Sequence, residues 1–195
     1  MPLAPSEVVP VETWVIFGPG AESLKAAIGE LTPELAALLK MHGLDYSKPL
    51  QAAYLAPQFE QWIAIAGRTL FPKEDVRQGQ RLLGQRFFDG WRGTLTGAAS
   101  SAFLRIVGPR RSLARIGRAF RNGNNFTVTQ TTFDGENSAL VDFVQTQDLA
   151  DFVRGVVEAG LLLMRVKGEV RIVSRGVRQF VLGVTWSLGE TTTGA

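Results

Sequence analysis

Arginine is the residue type best placed to do chemistry in this chain. Residues 70–126 carry ten of them. With about 100° of turn per residue, Arg110, Arg111, Arg115, Arg118 and Arg121 fall within an arc of about 140°. Leu113, Ile116 and Phe120 form a narrow apolar stripe on the other side. The spacing predicts an amphipathic helix over 110–122 with five guanidinium groups facing outward. Such a face is either solvated and balanced by acids such as Glu136 or Asp142, or it is a surface for an anion: phosphate, nucleic acid, anionic lipid or an acidic partner. Arginine without lysine leans toward the second reading, because its planar fork suits bidentate and stacked contacts.

A different arginine sits upstream. On a wheel over 73–92, Val76, Leu82, Leu83, Phe87 and Trp91 share one half with Gly79, Arg86 and Gly90. Each glycine in a helix interior costs about 1 kcal/mol relative to alanine. Two on a packing face therefore imply close approach of another backbone. Arg86 on that face requires a partner, since it cannot deprotonate. Arg86, Gly79 and Gly90, with the Asn124 and Asn125 pair that turns the chain after the arginine helix, are the residues expected to hold the architecture or anchor a ligand.

The remaining reactive types are sparse. There is no cysteine, so disulfides, zinc–thiolate sites and thiol nucleophiles are excluded. The single histidine, His42, precedes Gly43 where a helix should stop, a position suited to helix-end carbonyls. Ser100 and Ser101 have no visible base, and Glu60, Asp75 and Asp89 form no pair that sequence alone can place. Gly18 and Gly20 follow a strand, but Ser23 occupies the third position of a dinucleotide fingerprint. No enzyme activity and no cofactor are expected.

The elements that must position these residues are legible in outline. The 195 residues carry a net charge of +3 and are 45% hydrophobic, ordinary for one folded domain. A loose arm is expected over 1–10, a single domain over 11–188 and a disordered tail over 189–195. Within the domain a strand over 11–17 precedes a helical part, 21–122. Helices are expected over 21–28, 32–42, 48–66 (kinked at Pro57), 73–92, 94–107 and 110–122, with Gly108-Pro109 as the break before the last. From 124 to 188 the pattern becomes ββαββ. Strands over 126–133 and 138–145 are joined at Asp134-Gly135, a helix is capped by Asp148 with Asp151 as its box-like partner, and strands over 169–174 and 178–187 turn at Arg175-Gly176. The fold class is α+β, with an antiparallel sheet and a helix on one face. No run of about twenty apolar residues exists, so no membrane span is expected, and the N-terminus lacks a signal pattern. A cytoplasmic protein is expected.

Three motifs carry a family resemblance: Leu83-Gly84-Gln85-Arg86-Phe87, Gly108-Pro109-Arg110-Arg111, and residues 120–126, FRNGNNF. In these and in element order the chain resembles a myxobacterial family of paralogous proteins of about this length, a domain of unknown function. The layout is also similar to the superfamily of haem-nitric-oxide-binding domains, 4-vinyl-reductase-type small-ligand domains and TRAPP-type subunits. That resemblance implies a hydrophobic ligand cavity between helices and sheet, and dimerisation. Haem-binding members need an axial histidine and a Tyr-x-Ser-x-Arg cluster. Tyr46-Ser47 does not make that motif and His42 lies too early, so haem is not expected. The resulting expectation is a non-enzymatic regulatory or adaptor protein, homodimeric, binding a small hydrophobic ligand or a protein partner. The alternative is a nucleic-acid or polyanion binder acting through residues 110–122.

Overall fold

The chain enters through a short 3-10 turn, Val11–Thr13, and then the strand β1, Val15–Phe17. The expected strand over 11–17 is thus shortened at its start. The computed structural model describes residues 9–188. The expected loose arm and tail lie outside the described residues apart from Val9 and Pro10. Val9 is held: its carbonyl accepts from Trp14 Nε1 at 2.8 Å and Gln145 Nε2 at 3.1 Å.

Helix α1, Gly18–Ile28, starts directly after β1. Pro19 lies in its first turn, where a missing N–H costs nothing. A side chain on Gly18 would come within 2.8 Å of the Gln51 carbonyl, so this corner requires glycine. Helix α2, Pro33–Met41, begins at Thr32, whose hydroxyl accepts from Leu35 N. Gly43 follows with φ 88°.

Residues 53–55 form β2, Ala53–Leu55, antiparallel to β1 with Ile16 opposite Tyr54. The helix expected from 48 instead begins after this strand as α3, Ala56–Leu70. Pro57 therefore falls in a first turn and does not kink the helix.

Helix α4, Val76–Arg92, is capped by Asp75, which accepts from Gln78 N at 2.9 Å. It is the central element, packed against α1, α3, α5 and α7. Helix α5 spans Leu95–Leu113 with a break at Gly108 (φ 74°, ψ 177°), and α6 spans Ile116–Arg121. Arg115 between them has φ −116°, ψ 9°. The single helix expected over 110–122 is therefore two pieces at an angle.

The C-terminal unit is ββαββ. It comprises β3 (Val128–Thr132), β4 (Ser138–Gln145), α7 (Ala150–Leu163), β5 (Val166–Gly176) and β6 (Gln179–Leu188), with an antiparallel order β3-β4-β6-β5. The fold is α+β as expected. Alternation along β4 buries Ala139, Val141, Phe143 and Gln145, and the register sets Val141 opposite Leu182 and Phe143 opposite Phe180. The two phenylalanine rings stack at 4.6 Å. The last turn falls at Val177-Arg178, with Arg178 at φ 56°, two residues later than expected.

Helices α4 and α7 meet backbone to backbone. A Cβ on Gly84 would overlap the Phe152 carbonyl, and one on Gly155 the Arg81 carbonyl. At the edge of this contact Glu158 accepts from Arg81 Nε at 2.7 Å, Gln85 Nε2 at 2.9 Å and Arg154 Nε at 2.9 Å. The capping role expected of Asp148 and Asp151 is not seen. Asp148 accepts from Arg178 N at 2.8 Å, and Asp151 accepts from Arg175 Nη2 through both oxygens at 2.8 Å. Both aspartates bind the β5–β6 hairpin, an interaction between segments that local capping patterns do not contain.

Candidate functional site

Helix α6 lies across the core side of β3. Ile116 and Phe120 face inward, and the Phe120 ring meets Phe143 edge-on at 5.4 Å. Gly117 permits the close approach, since a Cβ there would come 2.5 Å from Thr129 Oγ1. Thr131 Oγ1 donates to the Leu113 carbonyl at 3.0 Å and anchors the end of α5 to the same strand. These contacts leave a groove of about 520 Å³. Ala114, Arg115, Gly117, Arg118 and Arg121 form one wall and Thr127, Val128 and Thr129 the other.

The five arginines do not act as one face. Arg110 is stacked on Phe133 at 4.1 Å and donates to the Gly135 carbonyl at 2.8 Å, so it clamps the β3–β4 turn. Its contact with Glu136 is to the backbone carbonyl, 3.3 Å, and not to the carboxylate. Arg111 is exposed and is not part of the groove. Arg115, Arg118 and Arg121 line the groove, and the Arg115 guanidinium lies over the Phe103 ring of α5 at 5.7 Å. Among the described residues no ion pair involves any of the five. Glu136 and Asp142 therefore do not neutralise them. Asp142 stands on the sheet, paired in register with Gln130 and Val181, where burial raises its carboxyl above the ordinary range.

A second groove, about 460 Å³, includes Arg81, Arg154, Glu158 and Lys167. Its two arginines are already bound by Glu158. The arginines of the α6–β3 groove have no carboxylate partner among the described residues, which makes it the stronger anion site by charge.

The other residues singled out from the sequence are architectural in placement. Gly79 packs against α3, where a Cβ would lie 3.2 Å from the Gly67 carbonyl. Gly90 packs against α1, where one would lie 2.6 Å from the Ser23 carbonyl. Arg86, expected on the packing face, is exposed, with its guanidinium over the Phe71 ring at 4.9 Å. Neighbours on several sides of α4 shift its buried arc toward Gly84 and Phe88, leaving Arg86 at the rim and Val76 47% exposed. Asn124 Oδ1 accepts from Phe126 N and Thr127 N, which sets the start of β3. Asn125 accepts from Val15 N and donates to the Thr13 carbonyl, both at 2.9 Å, tying the chain start to this turn.

The structure also gathers a pair that sequence reasoning missed. Glu60 on α3 lies near Asp148, with Gln147 and Arg178 beside them. Burial raises the Glu60 carboxyl above its usual range, the Asp148 charge adds to this, and Gln147, the Asp148 backbone and Arg178 oppose it. Eighty-eight positions of sequence separate the two acids, and no local pattern joins them.

The fold defines a class. It is similar to solved H-NOX domains, including an oxygen-binding H-NOX domain related to soluble guanylate cyclases (TM-score 0.63, 11% identity, 87% of this chain and 92% of that one). An H-NOX from T. Tengcongensis matches with TM-score 0.62 and 12% identity over 87% and 94% of the two chains. A Cs H-NOX variant carrying an unnatural amino acid matches at 0.63 and 11% over 87% and 93%. At such identities the likeness is one of fold. By sequence the chain belongs to the family described as "Protein of unknown function (DUF2378)", whose model matches residues 15–187. No curated protein matches it.

One of the similar structures concerns haem redox potential and porphyrin distortion, and a haem makes definite demands on side chains. Its iron takes histidine, cysteine, methionine or tyrosine as axial ligand. Here His42 is exposed, its Nδ1 3.0 Å from Gln61 Oε1. Tyr46 donates to the Ala21 carbonyl, and the Tyr54 hydroxyl accepts from Gln51 N. Met41 is 72% exposed, and Met164 Sδ accepts from Ser112 Oγ. The Phe59, Phe87 and Phe152 rings pack mutually at 5.1–6.2 Å between α3, α4 and α7. Among the described residues, the side chains do not fit a haem.

Proposed function

We propose that this chain is a non-catalytic regulatory protein that carries an H-NOX-like fold without haem and recognises a compact anion in the groove between α6 and β3. The observation behind this reading is that Arg118 and Arg121, neither with a carboxylate partner among the described residues, line the same groove as Thr127 and Thr129, with Arg115 also on its wall. Guanidiniums and hydroxyls together suit phosphate esters and carboxylates. The groove volume lies within the range of small-molecule sites. Binding would hold α6 against β3, and so link the kinked helices to the sheet edge.

The test is a thermal-shift and calorimetric screen with inorganic phosphate, pyrophosphate, citrate and nucleotides. The expected result is a rise in Tm with at least one of them. That rise should be abolished in Arg118→Glu/Arg121→Glu and retained in Arg110→Ala, whose guanidinium is committed to the β3–β4 turn. Equal shifts in wild type and the groove variant would refute the reading. Duplex DNA and heparin, titrated across a salt series, address the polyanion alternative, which requires a steep fall of affinity with salt.

A further inference from the structure

Helix α5 presents its apolar side to solvent. Before the Gly108 break its fully buried positions, among the described residues, are small, Gly97 and Ser101, with Leu104 and Val107 half-buried, and the Ser101 hydroxyl is returned to the Gly97 carbonyl at 2.6 Å. Its outward positions are Ala98, Ala99, Ala102, Phe103 and Ile106, with Phe103 46% and Ile106 84% exposed. Single exposed apolar residues are common. A contiguous apolar helix face is not.

Along the neighbouring sequence the charge is of one sign. From Gly90 to Phe133 the sequence has seven arginines, no lysine and no acidic residue. The rest of the chain is net acidic, since the whole carries only +3. Arg105 lies on the outward side of α5 itself, exposed. Arg115 reaches back from the α6 junction, with its guanidinium over the Phe103 ring at 5.7 Å. Beyond the Gly108 break, Arg110 pins the second half of α5 to the β3–β4 turn, which carries the exposed acids Asp134 and Glu136. No described helix is long and apolar enough to cross a membrane.

From this juxtaposition of exposed Phe103 and Ile106 with Arg105 on the same helix and Arg115 over Phe103, we infer that α5 is a docking face for an anionic lipid surface, on which it lies in the plane of the headgroups. Phe103 and Ile106 enter the headgroup–acyl boundary, and Arg105, Arg111 and Arg115 contact lipid phosphates. Positive charge selects the partner, and the apolar face distinguishes a bilayer from a nucleic acid, which has no use for an exposed isoleucine. This inference does not rest on ligand binding in the α6–β3 groove.

The chain has no cysteine, so Ile106→Cys can be labelled uniquely with an environment-sensitive dye. On addition of equimolar phosphatidylserine–phosphatidylcholine vesicles, emission should shift to the blue. It should not shift with pure phosphatidylcholine, nor for a label at Met41→Cys, an exposed apolar position on α2. In vesicle co-sedimentation, Phe103→Ser/Ile106→Ser should lose roughly tenfold in partitioning. Arg105→Glu and Arg111→Glu should each lose at least about fivefold. Both pairs of sites are exposed, and unchanged far-UV circular dichroism and melting would show that the variants fold. Absence of binding to the anionic vesicles overturns the proposal. So does binding indifferent to Phe103→Ser/Ile106→Ser, or equal competition by duplex DNA. A blue-shifted, concentration-dependent label without vesicles would assign the face to a second copy of the chain and equally overturn it.

Discussion

Gly155 and Gly160 lie on the same helix, and replacing each with alanine should act in opposite directions. A Cβ on Gly160 would meet only the Phe88 ring, at 3.9 Å, an ordinary van der Waals contact. Alanine there supplies helix propensity and restricts the unfolded chain, so Gly160→Ala should stabilise by about 0.5–1 kcal/mol. A Cβ on Gly155 would overlap the Arg81 carbonyl and lie 3.1 Å from Gln85 N. These are main-chain atoms of α4 and cannot rotate away. Moving α4 also disturbs its contacts with α1, α3 and α5. Overpacking of this kind costs about 1–3 kcal/mol. With main chain as the obstacle the upper end applies, so after the propensity gain Gly155→Ala should destabilise by about 2 kcal/mol. The two variants should therefore differ by about 3 kcal/mol, read from urea denaturation followed by circular dichroism, as a change in midpoint at unchanged slope. If Gly155→Ala proved as stable as Gly160→Ala, the backbone contact between α4 and α7 would be wrong.

Further expectations concern the joints around the site. Glu60 has a folded-state pKa raised above its unfolded value, so the folded chain keeps the proton to higher pH. Its stabilising contribution is fully present below the unfolded pKa of about 4.3 and is lost as pH rises through the folded value. Glu60→Gln should thus raise Tm near neutral pH and leave it nearly unchanged in acid; a variant less stable than wild type at neutral pH would contradict this. Asn125→Ala removes two hydrogen bonds that hold the Thr13–Val15 segment and should cost about 1–3 kcal/mol in chemical denaturation, with faster amide exchange at Val15. Glu158→Ala leaves Arg81 and Arg154 facing each other; because both are partly solvated, the loss should be about 2 kcal/mol, smaller in high salt.

Sequence alone determined what depends on neighbouring residues. Composition excluded thiol chemistry, and Thr32-Pro33 marked a helix start because a cap satisfies N–H groups two or three residues away, whereas the start of α4 at Asp75 came two to three residues after the expected one at Lys73. Asp134-Gly135 and period-two alternation marked a hairpin and a sheet with one buried face. The family was legible in Leu83–Phe87, Gly108–Arg111 and Phe120–Phe126. Tertiary structure decided whatever depends on elements distant in sequence. Pro57 became a first-turn residue because Ala53–Leu55 was claimed by β1. Arg86 moved to the rim because α4 has neighbours on several sides, whereas a wheel assumes one. The arginine face divided because Arg110 found Phe133 and the β3–β4 turn, while Gly117 let α6 close on Thr129 and gather Arg115, Arg118 and Arg121 around a groove. Glu60 and Asp148 met only when α3 came against the loop before α7. A helical wheel orders charges by angle along one axis; which of them find a partner is set by contacts between axes, and those exist only in the folded chain.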